Sequence, residues 1–252
     1  MKVTTFSTMG TMLSVTVPTQ LSALAQNAIL NRLDDIENQF SLYRPQSTLC
    51  RLNRHEQPLL DEEFLSVVAT ANDLVLQSNG AFSIATNNGL DLNGYVKGWA
   101  IEQVAQLLCG YGYEDFILCA GGDISFRGQP DNADSWRIGI ENPLNPRRPL
   151  FALEFASPSQ WSVATSGLYR RGEHIRNAHD LLSVTVVGRE ITLADAYATT
   201  IMAMGIEGLA WIKNCDGYEA IAISKNYEVV MSEDFGQAFS VGQYVDEFAA
   251  LA

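Results

Sequence analysis

Asp195 and Thr199 stand four positions apart in the Ala-rich stretch "ITLADAYATTIMAMG", residues 191–205. In a helix that spacing puts a carboxylate and a hydroxyl on one face, one turn apart. A hard cation such as Mg²⁺ prefers oxygen ligands, usually one or two from protein side chains and the rest from phosphate and water. The pair suits that chemistry. A purely structural role fits as well, with Asp195 supporting the helix start and Thr199 bonding back to a carbonyl. The segment alone leaves both readings open.

Other stretches carry weaker signals. In "GLDLNGYVKGWAIEQVAQLL", residues 89–108, Asp91 precedes a glycine-bearing turn and Lys97 follows as a helix opens. Backbone N–H groups at a helix start beside a lysine make an anion site, although most such turns are mere connections. "AGGDI", residues 120–124, places Gly121 and Gly122 inside an apolar strand pattern, as a bulge or as a place where a ligand can approach the backbone. "SLYRPQSTLCRLN", residues 41–53, offers Tyr43 for stacking on a planar ring and short polar side chains at Ser41, Ser47 and Asn53. His55 reads as surface. His174, in "RRGEHIRNAHD", follows charged residues and a glycine, so an accessible imidazole there could act as general base near neutral pH.

The elements that must position these residues alternate irregularly. A strand near 11–17 leads to a helix from about 20 to 38, with Leu21, Leu24, Ala25, Ile29, Leu33 and Ile36 at helical spacing. A polar loop follows, then a helix near 61–78 and another from about 96 to 109 that stops at Gly110. "DFILCAGGDISFRG", "SWRIGIENP", "LFALEFAS" and "QWSVATSG" read as strands, and the last third gives a strand at 183–187, a helix at 192–211 and strands at 219–224 and 227–232. The pattern predicts an α+β fold with mixed or antiparallel sheets and packed helices, in one domain over 1–252, since no linker, repeat or low-complexity tract interrupts it.

Composition narrows the partners. The chain has 252 residues, 47% of them hydrophobic and 18% charged, with a formal net charge of −13. That charge argues against nucleic acid and anionic membrane surfaces, and it obliges any phosphate-bearing ligand to find a local cation. Cys50, Cys109, Cys119 and Cys215 lie far apart with no CxxC pair, as thiols in a reducing compartment do. No stretch has the ~20 apolar residues of a membrane span, and the first residues show no signal peptide or lipid-bearing cysteine. A cytoplasmic location is expected, unless a leader has been trimmed.

Taken together, eight segments in register resemble the ApbE-type FAD:protein FMN transferases, or flavin transferases: "MGT" at 9–11, "FSLYRPQSTLCRLN" at 40–53, "DLNGYVKGWA" at 91–100, "AGGDI" at 120–124, "WRIGIENP" at 136–143, "VATSGLYRR" at 163–171, "HI" at 174–175 and "SVTVVGREITLADAYATTIMAMG" at 183–205. The resemblance implies a T-fold-like α+β domain and Mg²⁺-dependent cleavage of FAD as substrate. AMP is released and FMN passes to a Thr or Ser hydroxyl of an acceptor flavoprotein. It implies metal ligation by Asp195, Thr199 and a main-chain carbonyl near Val96, with Lys97 adding positive charge and His174 deprotonating the acceptor hydroxyl. Contacts to the flavin nucleotide are implied at Met9, Ser41, Tyr43, Ser47, Asn53, Asp91, Lys97, Gly121, Gly122, Asp123, Ser166 and Gly167.

The chain departs from the family pattern in three places. Only eight residues, "SIATNNGL", separate Phe82 from Asp91, where relatives carry a longer insertion. Asn177 and Ala178 replace the usual Asp-Pro after "HI", and Asn93 and Tyr95 stand where Gly and Ile are usual. A trimmed acceptor loop makes Mg²⁺-dependent FAD hydrolysis to FMN and AMP one alternative. A non-catalytic flavin-binding protein is the other, and it would need neither the Asp195/Thr199 pair nor His174.

Overall fold

The structure, a computed structural model, describes residues 1–130, 135–143, 145, 149–156, 159–167, 180–238 and 240–241. Strands β1 (Lys2–Thr8) and β2 (Thr11–Val17) form a hairpin, and helix α1 (Ala23–Phe40) follows. The Ser22 side chain accepts the Ala25 N–H, supplying the cap that α1 needs. The buried stripe of α1 is Ala25, Ile29, Leu33, Ile36 and Phe40, while Leu24 points to solvent, so one position of the expected apolar face is corrected. The polar loop after α1 contains a short helix, α2 (Thr48–Asn53), that hydrophobic periodicity does not reveal. Helix α3 (Glu62–Gln77) starts at Asp61, whose carboxylate accepts the Phe64 N–H.

A two-strand hairpin, β3 (Ala85–Thr86) with β4 (Gly89–Leu90), leads into helix α4 (Asn93–Gly110). The helix starts three residues before the expected 96, and the Asp91 carboxylate accepts the Asn93 N–H at 2.9 Å. Strands β5 (Phe116–Ala120) and β6 (Asp123–Arg127) meet at Gly121 and Gly122, both at positive φ, 60° and 99°. The glycine pair therefore makes a two-residue hairpin turn rather than a bulge, because a turn matching the strand twist needs positive φ at both positions. Strands β7 (Ser135–Glu141), β8 (Pro149–Ala156), β9 (Trp161–Gly167) and β10 (Leu181–Gly188) precede helix α5 (Ile191–Met204). The expected helix over 192–211 is broken at Gly205, whose φ of 75° lies outside the right-handed helical region, and resumes only as α6 (Gly208–Trp211). Strands β11 (Glu219–Ser224) and β12 (Val229–Met231) follow, then α7 (Phe235–Ala238) and β13 (Ser240–Val241).

The expectation of an α+β fold holds. Eight strands pair antiparallel in the order β1-β2-β5-β6-β9-β10-β11-β12, and β13-β8-β7 form a second, antiparallel sheet. Alternation along β11 shows how the layers form. Ala220 and Ala222 face the helices, whereas Ile221 and Ile223 face the second sheet with Phe126, Trp136 and Phe155. Helix α5 lies on β9 and β10 of the eight-stranded sheet with Ala194, Ala196 and Ala198 buried. The helix carrying Asp195 and Thr199 is thus fixed against both the sheet and α4. Among the described residues, no helix is long and apolar enough to cross a membrane.

Candidate active site

Asp195 points out of α5 toward the start of α4, and the packing of those helices decides its environment. Its carboxylate accepts the Gly98 backbone N–H at 3.1 Å and sits 3.1 Å from the Lys97 ammonium. A side chain at Gly98 would place a Cβ 2.7 Å from the Ile191 carbonyl oxygen, 2.9 Å from Thr192 Cα and 3.0 Å from Asp195 Cβ. Two of those three atoms are backbone and cannot rotate away, so glycine is what lets the helices approach closely enough for the Asp195 contact. Gly98→Ala is expected to lower stability by about 1–3 kcal/mol, the usual cost of forcing extra atoms into a packed interface. Urea unfolding reads this directly, and an unchanged midpoint would mean that the two helices do not meet here.

Thr199, one turn along, faces the Ser166 hydroxyl of β9 at 3.2 Å. Neither residue plays the structural role that its type allows. The Asp195 acceptor bond runs to another helix instead of capping its own, and the back-bond to a carbonyl is made by Thr200, to Ala196. Both Asp195 and Thr199 line one cavity of about 910 Å³, toward the upper end for ligand pockets.

That cavity gathers much of what the sequence singled out. Met9, Ser41, Tyr43, Asp91, Val96 and Lys97 line it, as do Gly121, Gly122, Ser166 and Gly167. Tyr43 is 84% exposed at its edge. Ser41 shapes the Tyr43 turn, its hydroxyl accepting the Tyr43 and Arg44 N–H groups. Ser47 and Asn53 lie outside the lining, and their polar atoms are already used. Ser47 caps α2 and donates to the Ser41 carbonyl, while Asn53 clasps both backbone groups of Leu90 and so anchors the β3–β4 hairpin. His174 lies outside the described residues, as do Asn177, Ala178 and His179.

Lys97 does not stand as a free cation. Its ammonium contacts Asp123 at 2.5 Å as well as Asp195, and both carboxylates are buried. Burial opposes its charge, but the two carboxylates outweigh burial and keep it protonated. Burial pushes the Asp195 carboxyl up, Lys97 pulls against that, and Asp123 adds to the rise. When Asp195 is ionised, two carboxylates face one ammonium and the trio carries one negative charge in excess beside the cavity.

Sequence reasoning missed Glu37, which lines the cavity and ties two of its walls together. One oxygen accepts the Thr8 hydroxyl and the Met9 N–H, and the other pairs with Arg44 at 2.8 Å. Met9, at φ 47°, is held in a left-handed turn that a non-glycine residue rarely adopts. Nothing in the spacing along α1 distinguishes Glu37 from the other acidic residues there. Phe82, Cys119 and Thr165 also join the lining without a sequence signal that marks them.

The donor set fits a magnesium ion. Among the described residues no three His, Cys, Asp or Glu side chains form a ready cage. A cation here would take one carboxylate and one hydroxyl, drawn by the uncompensated charge, and complete its shell from phosphate and water, the usual manner for Mg²⁺.

The sequence profile of the ApbE family matches residues 9–88 and 85–222. The chain belongs to the ApbE family. Among ApbE relatives, the FAD:protein FMN transferase of Vibrio cholerae is 32% identical over 133 residues, 47% of this chain and 39% of that protein. The Escherichia coli protein of the same name is 26% identical over 164 residues, 58% of this chain and 46% of that one. The aligned segments thus span less than half the length of these curated relatives. The fold agrees across nearly the whole chain: the flavin transferase ApbE from Vibrio cholerae superposes with a TM-score of 0.81 at 23% identity, covering 94% of this chain and 98% of that one. The ApbE protein from Thermotoga maritima gives 0.79 at 21% identity, with coverage of 94% and 98%.

Proposed function

We propose that this chain, as a single flavin transferase domain, transfers FMN from FAD to a Thr or Ser hydroxyl of an acceptor flavoprotein, releasing AMP, with Mg²⁺ as cofactor. The observation that carries the reading is the convergence of Asp195 and Thr199 on one large cavity inside the ApbE fold. The name borne by the relatives supplies the reaction class. Asp195, Thr199 and a backbone carbonyl near Val96 would hold the metal. When bound, it would polarise the phosphorus and offset charge on the departing AMP.

The chain's own residues then bind and orient. The Gly121–Gly122 turn, at φ values that residues with side chains rarely adopt, lines the cavity with glycine backbone. Met9, Asp91, Ser166 and Gly167 line the same space and are assigned to the nucleotide. Asp123 lies beneath them and acts through Lys97. By resemblance, His174 takes the proton of the acceptor hydroxyl, which attacks phosphorus as the bond to AMP breaks. Measuring AMP release from FAD with Mg²⁺, with EDTA and with Mg²⁺ restored tests the metal. Release that depends on an acceptor supports transfer, and equal release without one would point to hydrolysis.

Tyr43 is assigned to the adenine ring because its exposed ring stands at the cavity edge. Stacking of this kind is worth roughly 1–3 kcal/mol, so Tyr43→Ala should raise the dissociation constant for FAD by about 5–150-fold. FMN, which lacks adenine, should lose little. Calorimetric titration with both ligands measures the difference, and equal losses would move Tyr43 away from adenine.

A further inference from the structure

Asp123 is fully buried at the first position of β6, directly after the glycine turn, and unlike Lys97 and Asp195 it does not line the cavity. One of its oxygens accepts the Thr165 N–H at 3.1 Å. The other receives no aligned hydrogen bond, yet the Lys97 ammonium lies 2.5 Å from it, closer than the 3.1 Å that separates Lys97 from Asp195. A buried carboxylate with one oxygen given wholly to a lysine has a narrow range of uses.

We infer that Asp123 is a positioning residue that draws the Lys97 ammonium away from Asp195 and so leaves the Asp195 carboxylate able to hold a divalent cation. The inference rests on the metal reading above. With Asp123 present, the ammonium is shared and Asp195 keeps part of its charge. Without it, Lys97 and Asp195 would form a closed one-to-one pair, and a cation brought to Asp195 would meet an unopposed ammonium a few ångströms away. In a buried site that repulsion is weakly screened. Asp123 therefore tunes metal affinity without touching the metal.

Titration of the purified protein with Mn²⁺ alone, followed by loss of the free-ion electron paramagnetic signal, tests this without any turnover. Asp123→Asn keeps an oxygen for the Thr165 N–H but puts an amide NH2, which cannot accept from an ammonium, where the charged oxygen faced Lys97, so Mn²⁺ affinity should fall about tenfold or more. Adding Lys97→Met to that variant removes the orphaned ammonium and should bring affinity back to within about threefold of wild type. A merely structural Asp123 would not be rescued in this way. Lys97→Met alone should bind Mn²⁺ at least as tightly as wild type, which keeps the test decisive should Asp123→Asn fold poorly. Unchanged affinity in Asp123→Asn, no rescue in the double variant, or weakened binding in Lys97→Met would each overturn the inference. Asp195→Ala separates the two levels. If it leaves Mn²⁺ binding intact, or if the wild type binds none, the metal reading itself falls.

Discussion

Asp195→Ala is expected to abolish FAD cleavage. The carboxylate is 2% exposed and is the charged side chain through which the proposed site meets a cation directly. Even outer-shell partners of a metal are worth roughly 10–100-fold in affinity or activity, so the loss here should exceed that range. Two structural contacts disappear with it, the acceptor for the Gly98 N–H and the partner of Lys97. Unfolding must therefore be measured alongside activity, so that a collapsed α4–α5 contact is not mistaken for lost chemistry. Thr199→Val, which removes a neutral ligand and keeps the shape, should reduce activity less. A folded Asp195→Ala protein that cleaves FAD at the wild-type rate at limiting Mg²⁺ contradicts the assignment.

His174→Ala should leave FAD affinity nearly unchanged while slowing transfer by roughly 10²–10⁴-fold, the usual range for loss of a general base. A Thr hydroxyl is a poor nucleophile near neutral pH, and only the transfer step needs its proton removed. The wild-type rate should fall as pH drops through the imidazole range, since a protonated ring cannot accept a proton. His179 lies five residues further along and could substitute. The double variant at His174 and His179 is therefore the informative one. Wild-type FMN loading by that protein would show that neither histidine is the base.

Helical spacing made the Asp195/Thr199 pair legible, because period 3.6 relates those two side chains whatever surrounds them. The strands around the site were legible for a similar reason, as alternation in "AIAI" of β11 requires two buried faces. The partners of Lys97 were not legible in the same way. Its position near a helix start suggests an anion site, but the antiparallel pairing of β6 and β9 carries Asp123 beneath α4 and turns the lysine inward. Glu37 escaped for a related cause: its partners lie on β1 and in the Tyr43 turn, and only tertiary structure joins them. Ser47 and Asn53 sit in the right motif and yet support the site from behind, which a motif cannot distinguish from contact. The misjudged end of α5 has a local origin, since Gly205 is tolerated by a helical pattern until its φ turns positive.

The most direct test of FMN transfer is intact-mass spectrometry of an acceptor flavoprotein fragment bearing its target Thr, incubated with this protein, FAD and Mg²⁺. The account predicts that the fragment gains one FMN in phosphoester linkage, with AMP released in equal amount and no gain when the target Thr is replaced by Ala. Free FMN and AMP with an unmodified fragment would contradict it and make the protein an FAD hydrolase.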